Sequence, residues 1–180
     1  MHESYAEKST NILSLINEFD GFAYDTDYGG RLTTDGVKIT SKVFSNYDEA
    51  GDFVTSTSYY SDYAYLAAYT TKKLSKGYQN AFSNFLIKHD EWKKFEDNLT
   101  ISYGRKSTKA TCPTCGSSIS LKYGHKFKEC PVCDSKKIIS DSNWKILETK
   151  RRLMEKAAEN LSKEAIKNEV TFVCGLEWHC

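Results

Sequence analysis

Four of the six cysteines fall into two matched pairs, Cys112-Pro113-Thr114-Cys115 and Cys130-Pro131-Val132-Cys133, with fourteen residues between the pairs. A Cys-x-x-Cys spacing lets two thiolates reach one ion from a single tight turn, whose backbone amides point at the sulfurs. Proline after the first cysteine of each pair presets φ for that turn, and Gly116 after the first pair admits a positive φ. Two such turns complete a tetrahedron of four thiolates with no open position, the chemistry of structural rather than catalytic zinc. Iron in the same tetrahedron, or a redox dithiol pair, is the competing chemistry, but nothing else in the sequence points to electron transfer. One Zn2+ on Cys112, Cys115, Cys130 and Cys133 is therefore the expected cofactor.

The segment between the pairs fits a small β module. Ser118–Tyr123 alternates, Gly124-His125 supplies a turn, and Lys126–Glu129 returns as a strand. With Cys-Pro-x-Cys knuckles on either side, residues 110–139 resemble a zinc ribbon, over about a sixth of the chain. The resemblance implies a module stapled by its ion. Zinc ribbons serve as nucleic-acid readers, as protein docks or as staples alone.

Charge narrows these uses. Residues 1–70 hold four Lys/Arg against eleven Asp/Glu, whereas 71–180 hold 21 against 13. Arg105, Lys106, Lys109, Lys122, Lys126 and Lys128 crowd the ribbon and its approach, with Tyr103, Tyr123 and Phe127 between them. Lysine neutralises phosphate and an exposed aromatic ring stacks on a base, so these six cations are the candidate nucleic-acid contacts. The same aromatics would also serve as the ribbon's own small core. The acidic, tyrosine-rich N-terminal half offers a second surface. Its Asp25, Asp27, Asp48, Glu49 and Asp52 could mimic phosphates toward a nucleic-acid-binding enzyme, and its tyrosines suit a protein interface. That reading makes the chain an adaptor, regulator or inhibitor, including a product of a mobile element, with the ribbon purely structural.

No catalytic constellation assembles. Asp25-Thr26-Asp27 sits in a Gly/Asp-rich stretch where aspartate bonds to local backbone. No phosphate-binding loop and no His-Glu-x-x-His is present. His89 lies among Phe85, Leu86 and Trp92 and reads as a packed histidine, and His125 falls in the ribbon turn. Cys174, His179 and Cys180 gather near the end, with His2 the only further histidine to join them; a terminal strand with Cys174 as a small buried hydrophobe is the simpler reading. The chain is expected to bind a nucleic acid or a protein, not a small-molecule substrate, and not to be an enzyme.

The positioning elements follow from periodicity. Ser9-Thr10 is expected to cap a helix carrying Ile12, Leu13, Leu15, Ile16 and Phe19, after a polar stretch, 1–9, expected to fray. Val37–Phe44 alternates as a strand with Val37, Ile39 and Val43 on one face. Ser45-Asn46-Tyr47-Asp48 reads as a capping box before a helix over about 47–57, and Tyr59–Thr71 as a following strand, strongest over Tyr63–Tyr69. This β-α-β unit needs further strands, for which Phe22–Tyr24 and Val170–Cys174 are candidates. A long amphipathic helix over about 75–98 carries Tyr78, Phe82, Phe85, Leu86, Trp92, Phe95 and Leu99 on one face. A second, capped near Ser140–Ser142, carries Trp144, Leu147, Met154, Ala158, Leu161 and Ala165, with Glu148/Arg152 and Glu155/Glu159/Lys163 as surface pairs. The expected fold class is α+β: a small β-α-β-containing part over 1–74, helix and basic linker over 75–109, the ribbon over 110–139, and a helix and strand over 140–180. No run of apolar residues approaches the ~20 that cross a bilayer, and no secretion signal precedes the fold, so the cytoplasm is the expected compartment and no membrane partner is expected.

Overall fold

The structure, a computed structural model, describes residues 2–25, 31–59, 61–102, 109–111, 115, 117–120, 132–133 and 141–179. Along these the chain runs β1 (His2–Ser9), α1 (Ile12–Phe19), β2 (Ala23–Asp25), β3 (Arg31–Thr33), β4 (Val37–Phe44), α2 (Tyr47–Ser58), β5 (Ala64–Tyr69), α3 (Lys76–Ser102), β6 (Lys109–Thr111), β7 (Ser118–Ser120), α4 (Asp141–Lys167) and β8 (Thr171–His179). The fold is α+β, with a mixed four-stranded sheet in the order β1-β8-β5-β4. One compact unit is Met1–Phe85 with Ala157–Cys180; the other is Leu86–Lys156.

In the first unit β4, α2 and β5 form the expected β-α-β, with β4 and β5 parallel. Helix α2 starts one residue later than a Ser45 cap would place it: Asn46 is the N-cap, and its Oδ1 accepts from the Glu49 amide at 2.9 Å. Asn11, not Ser9 or Thr10, likewise caps α1, accepting from the Leu13 and Ser14 amides at 3.1 and 3.3 Å. The alternation of β4 is interrupted. Ile39 pairs with Leu66 and Val43 with Ala68, so Thr40, Ser41 and Lys42 stand opposite Ala67 alone. The two extra residues keep the faces in register, so Val43 stays on the face of Ile39, where it is exposed, and Phe44 falls on the opposite face, which α2 covers.

The missing strands come from the two ends of the unit. β8 lies in the centre, antiparallel to both β5 and β1. Residues 2–9 are polar because β1 is an edge strand, not because they fray: all eight pair with β8, from His2↔His179 to Ser9↔Phe172. The candidate strand at Phe22–Tyr24 does not join this sheet. Ala23–Asp25 pairs with Arg31–Thr33 in a separate two-stranded ribbon, since Phe22 is held by Thr34, whose hydroxyl also donates to the Phe19 carbonyl.

Alternation along β8 splits the core into two layers. Val173 packs with Ala67, Phe44, Ala50 and Val54 beneath α2. Phe172, Cys174 and Leu176 face the opposite way and are buried. There Tyr5, the cross-strand partner of Leu176, stacks on Phe22 at 5.0 Å and meets Phe19 of α1 at 5.3 Å. The Ile12 amide donates to Ser162 Oγ of α4 at 3.2 Å. The turn from α4 into β8 is fixed by Asn168, whose Nδ2 donates to the Glu164 carbonyl and whose Oδ1 accepts from the Ser75 amide, both at 2.8 Å.

Helix α2 approaches β8 where Gly175 leaves room. A Cβ there would stand 3.0 Å from the Tyr5 carbonyl oxygen and 3.1 Å from Ala6 Cβ and Val54 Cγ2. Gly51, inside α2, is different: the nearest atoms to an added Cβ are on the Tyr47 ring at 3.8 Å. Gly175→Ala is therefore expected to destabilise the fold by about 1–3 kcal/mol through overpacking. Gly51→Ala should stabilise it by about 0.5–1 kcal/mol through lower unfolded-chain entropy. Chemical denaturation of the two variants checks both signs; equal effects would refute the close-approach account.

Candidate metal centre and basic unit

The Leu86–Lys156 unit contains the four cysteines and the six proposed phosphate-binding cations. Strands β6 and β7 pair antiparallel, Lys109 with Ser120 and Thr111 with Ser118. The six residues connecting Thr111 to Ser118 include both Cys112 and Cys115, so the first cysteine pair belongs to a hairpin connection. Cys115 and Cys133 each occupy a turn and each is exposed. The Cys115 thiol donates to Ser117 Oγ at 3.1 Å; as a thiolate it would accept from the same hydroxyl. A turn-borne, exposed sulfur with a hydroxyl in reach is a sound ligand position, and the donor set fits zinc. Cys112 and Cys130 lie outside the described residues, as do Tyr103, Arg105, Lys106, Lys122, Tyr123, His125, Lys126, Phe127 and Lys128. Among the described residues no group of three or more His, Cys, Asp or Glu converges as a metal site. Lys109 is placed in β6.

The division between the units also divides the charge. Leu86–Lys156 holds 16 Lys/Arg against 9 Asp/Glu, and the rest of the chain 9 against 15. The acidic candidates Asp48, Glu49 and Asp52 are exposed on α2, and Asp48 and Glu49, in its first turn, also complement the helix N-terminus. Asp25 closes β2 opposite Arg31, and Asp27 lies outside the described residues.

The other candidates resolve into packing. The α3 stripe passes through Tyr78, Ala81, Phe85, His89, Trp92 and Glu96, all buried, while Leu86 and Phe95 sit at its margins. Periodicity places His89 on this stripe, but Glu96 goes unread because an apolar face leaves no place for a carboxylate. Glu96 is 6% exposed and is engaged by Lys93 at 3.2 Å. The Arg151 guanidinium of α4 lies over the Trp92 ring, 4.7 Å from its centroid, and its Nε reaches Glu155 at 3.0 Å. His89 meets Trp92 edge-on at 5.6 Å.

Cys174 is fully buried, and burial pushes its thiol well up, with the Glu18 charge adding to the shift. It is a core residue, not a reactive thiol. Cys174 and His179 lie five positions apart along β8. The register does bring His2 opposite His179. Cys180 lies outside the described residues.

Comparison of the chain with protein-family models, curated proteins and solved structures finds no match. The reading of this site rests on its residues and their placement. No helix among the described residues is long and apolar enough to cross a membrane.

Burial lowers the His89 pKa to about 4, and the Lys93 charge lowers it further; Asp90 and Glu96 oppose this and Arg151 adds a smaller push downward. The folded chain thus refuses a proton that the unfolded chain accepts from about pH 6.5. Stability from this group is complete above about pH 6.5 and is lost as pH falls toward about 4. His89→Leu should flatten the fall of Tm between those pH values relative to wild type. Parallel profiles for the two proteins would show that the imidazole titrates normally.

Proposed function

We propose that the chain is a non-catalytic, zinc-binding regulatory protein that contacts nucleic acid, or a nucleic-acid-associated complex, through its basic unit. The observation that carries this reading is the segregation of charge. The excess of cations belongs to the compact unit that also carries the two cysteine pairs, not to the chain at large. The hairpin connection that holds the first cysteine pair supports the zinc-ribbon resemblance of residues 110–139. Cys112, Cys115, Cys130 and Cys133 would hold the ion, and Arg105, Lys106, Lys109, Lys122, Lys126 and Lys128 would neutralise phosphates. Four reduced thiolates fit a reducing compartment such as the cytoplasm.

A second reading keeps the zinc structural and assigns binding to the acidic unit. It is favoured by Tyr47, Asp48, Glu49 and Asp52, which stand exposed together at the start of α2. A basic protein partner fits that surface.

Structural zinc contributes folding free energy directly. Metal analysis should find one zinc per chain, and a strong chelator at neutral pH should melt the ribbon, with Cys112→Ser combined with Cys130→Ser giving proteolysed or insoluble protein. A metal-free chain whose thermal transition ignores chelator overturns the zinc reading. Nucleic-acid contact is tested by anisotropy of the zinc-loaded protein on mixed-sequence single- and double-stranded DNA and RNA across a salt series. Micromolar or tighter binding is expected, with a log–log slope of several phosphate contacts that Lys122→Glu, Lys126→Glu and Lys128→Glu together reduce. Absence of binding at near-physiological salt would leave the ribbon a staple and favour the acidic surface.

A further inference from the structure

Helix α4 changes character along its length. Its buried stripe includes Leu147, Met154, Ala158, Leu161 and Ala165. At 3.6 residues per turn, the line opposite that stripe carries Lys145, Arg152 and Lys156, then Lys163 and Lys167. All five are exposed. The last two are paired, Lys163 with Glu159 and Lys167 with Glu164, both at 3.4 Å. The first three, which belong to the basic unit, make no ion pair among the described residues. Glu155 is taken by Arg151, and the Glu148/Arg152 pair that i,i+4 spacing predicts is not formed.

We infer that the ridge Lys145–Arg152–Lys156 binds the phosphodiester backbone of duplex DNA. This rests on the nucleic-acid reading above and extends it to a surface outside the ribbon. Helical rise sets the first two cations ~10 Å apart and the last two ~6 Å apart. With a strand's charges spaced about 3.4 Å along the duplex axis, a ridge laid along that axis spans roughly three nucleotides and two. Among the described side chains the ridge offers nothing to stack on a base. Thr149 spends its hydroxyl on the Lys145 carbonyl at 2.9 Å, and the exposed apolar neighbours Ile146 and Leu153 are aliphatic. A single strand is held by aromatic platforms, whereas a duplex backbone asks only for cations in register. The broad apolar face that a lipid surface needs is also missing, because the apolar stripe of α4 is buried in the protein.

The test is anisotropy of the full-length, zinc-loaded chain on a mixed-sequence duplex of about 20 base pairs, over roughly 0.05–0.4 M salt. Lys145→Ala, Arg152→Ala and Lys156→Ala combined should weaken binding by roughly tenfold or more and make the log–log slope shallower by about 2–3, near 0.9 per contact. Arg152→Ala alone should account for about a third of that change. Lys163→Ala with Lys167→Ala, which removes paired cations, should leave the slope unchanged, and all three variants should melt with wild-type cooperativity. An unchanged slope in the triple variant overturns the ridge while leaving the ribbon lysines as the nucleic-acid surface. A wild-type chain that binds single strands but no duplex also overturns it. A wild-type chain that binds no nucleic acid overturns both readings, as does capture by anionic phospholipid vesicles in place of the duplex.

Discussion

Everything in the larger unit depends on strand β8 having a neighbour on each side. Its backbone groups pair with β5 on one edge and β1 on the other, so removing it would strip both of their ladders. Its alternate residues feed both core layers, Val173 beneath α2 and Phe172, Cys174 and Leu176 beneath α1. Gly175 is the point of closest approach, where a side chain would collide with β1 and α2 together. The β-α-β unit alone would bury only part of one face. β8 makes it a layered core.

The second organising constraint is electrostatic. A nearly neutral chain is assembled from an acidic unit and a basic one. Helix α4 shows the contrast within a single element, since the outward-facing Lys163 and Lys167 are paired whereas Lys145, Arg152 and Lys156 make no ion pair among the described residues. Exposed ion pairs contribute little to stability, so pairing there chiefly mutes the surface charge, and the unpaired stretch retains a field for a polyanion. The buried contacts between α3 and α4 in the basic unit follow another logic. Trp92 accepts the Arg151 guanidinium on its face and Glu96 is engaged by Lys93, so the charged groups of that interface enter it matched.

Sequence alone makes the β-α-β unit, both long helices and the last strand legible, because each carries its period over enough residues. It does less well where geometry depends on a distant partner. The first strand looks like a polar tail, since an edge strand shows one side to water and only β8 reveals the pairing. Alternation already puts Phe44 on the face opposite Val43, but no local signal marks that α2 covers that face while Val43 stays exposed. Both of these helix caps fall on asparagines rather than on adjacent Ser or Thr, a choice that capping rank does not make between Ser45 and Asn46 because the two residue types cap about equally well. The cysteine pairs are the most legible candidate, since ligand spacing is itself local. Glu96 is the least legible, because its burial depends on Lys93 lying across it.

The basic unit is one uninterrupted stretch, Leu86–Lys156, whereas the sheet unit draws on two stretches separated by it. On a ribosome adding roughly 5–20 residues per second, β5 and β1 emerge several seconds before the strand that lies between them. By the end of that interval the cysteine-bearing stretch has all its own residues, while β5 and β1 still lack the strand that pairs with both. Vectorial synthesis therefore favours an order in which the middle of the chain settles first and the beginning waits for β8. It also makes the early chain a client for chaperones that shield open β edges.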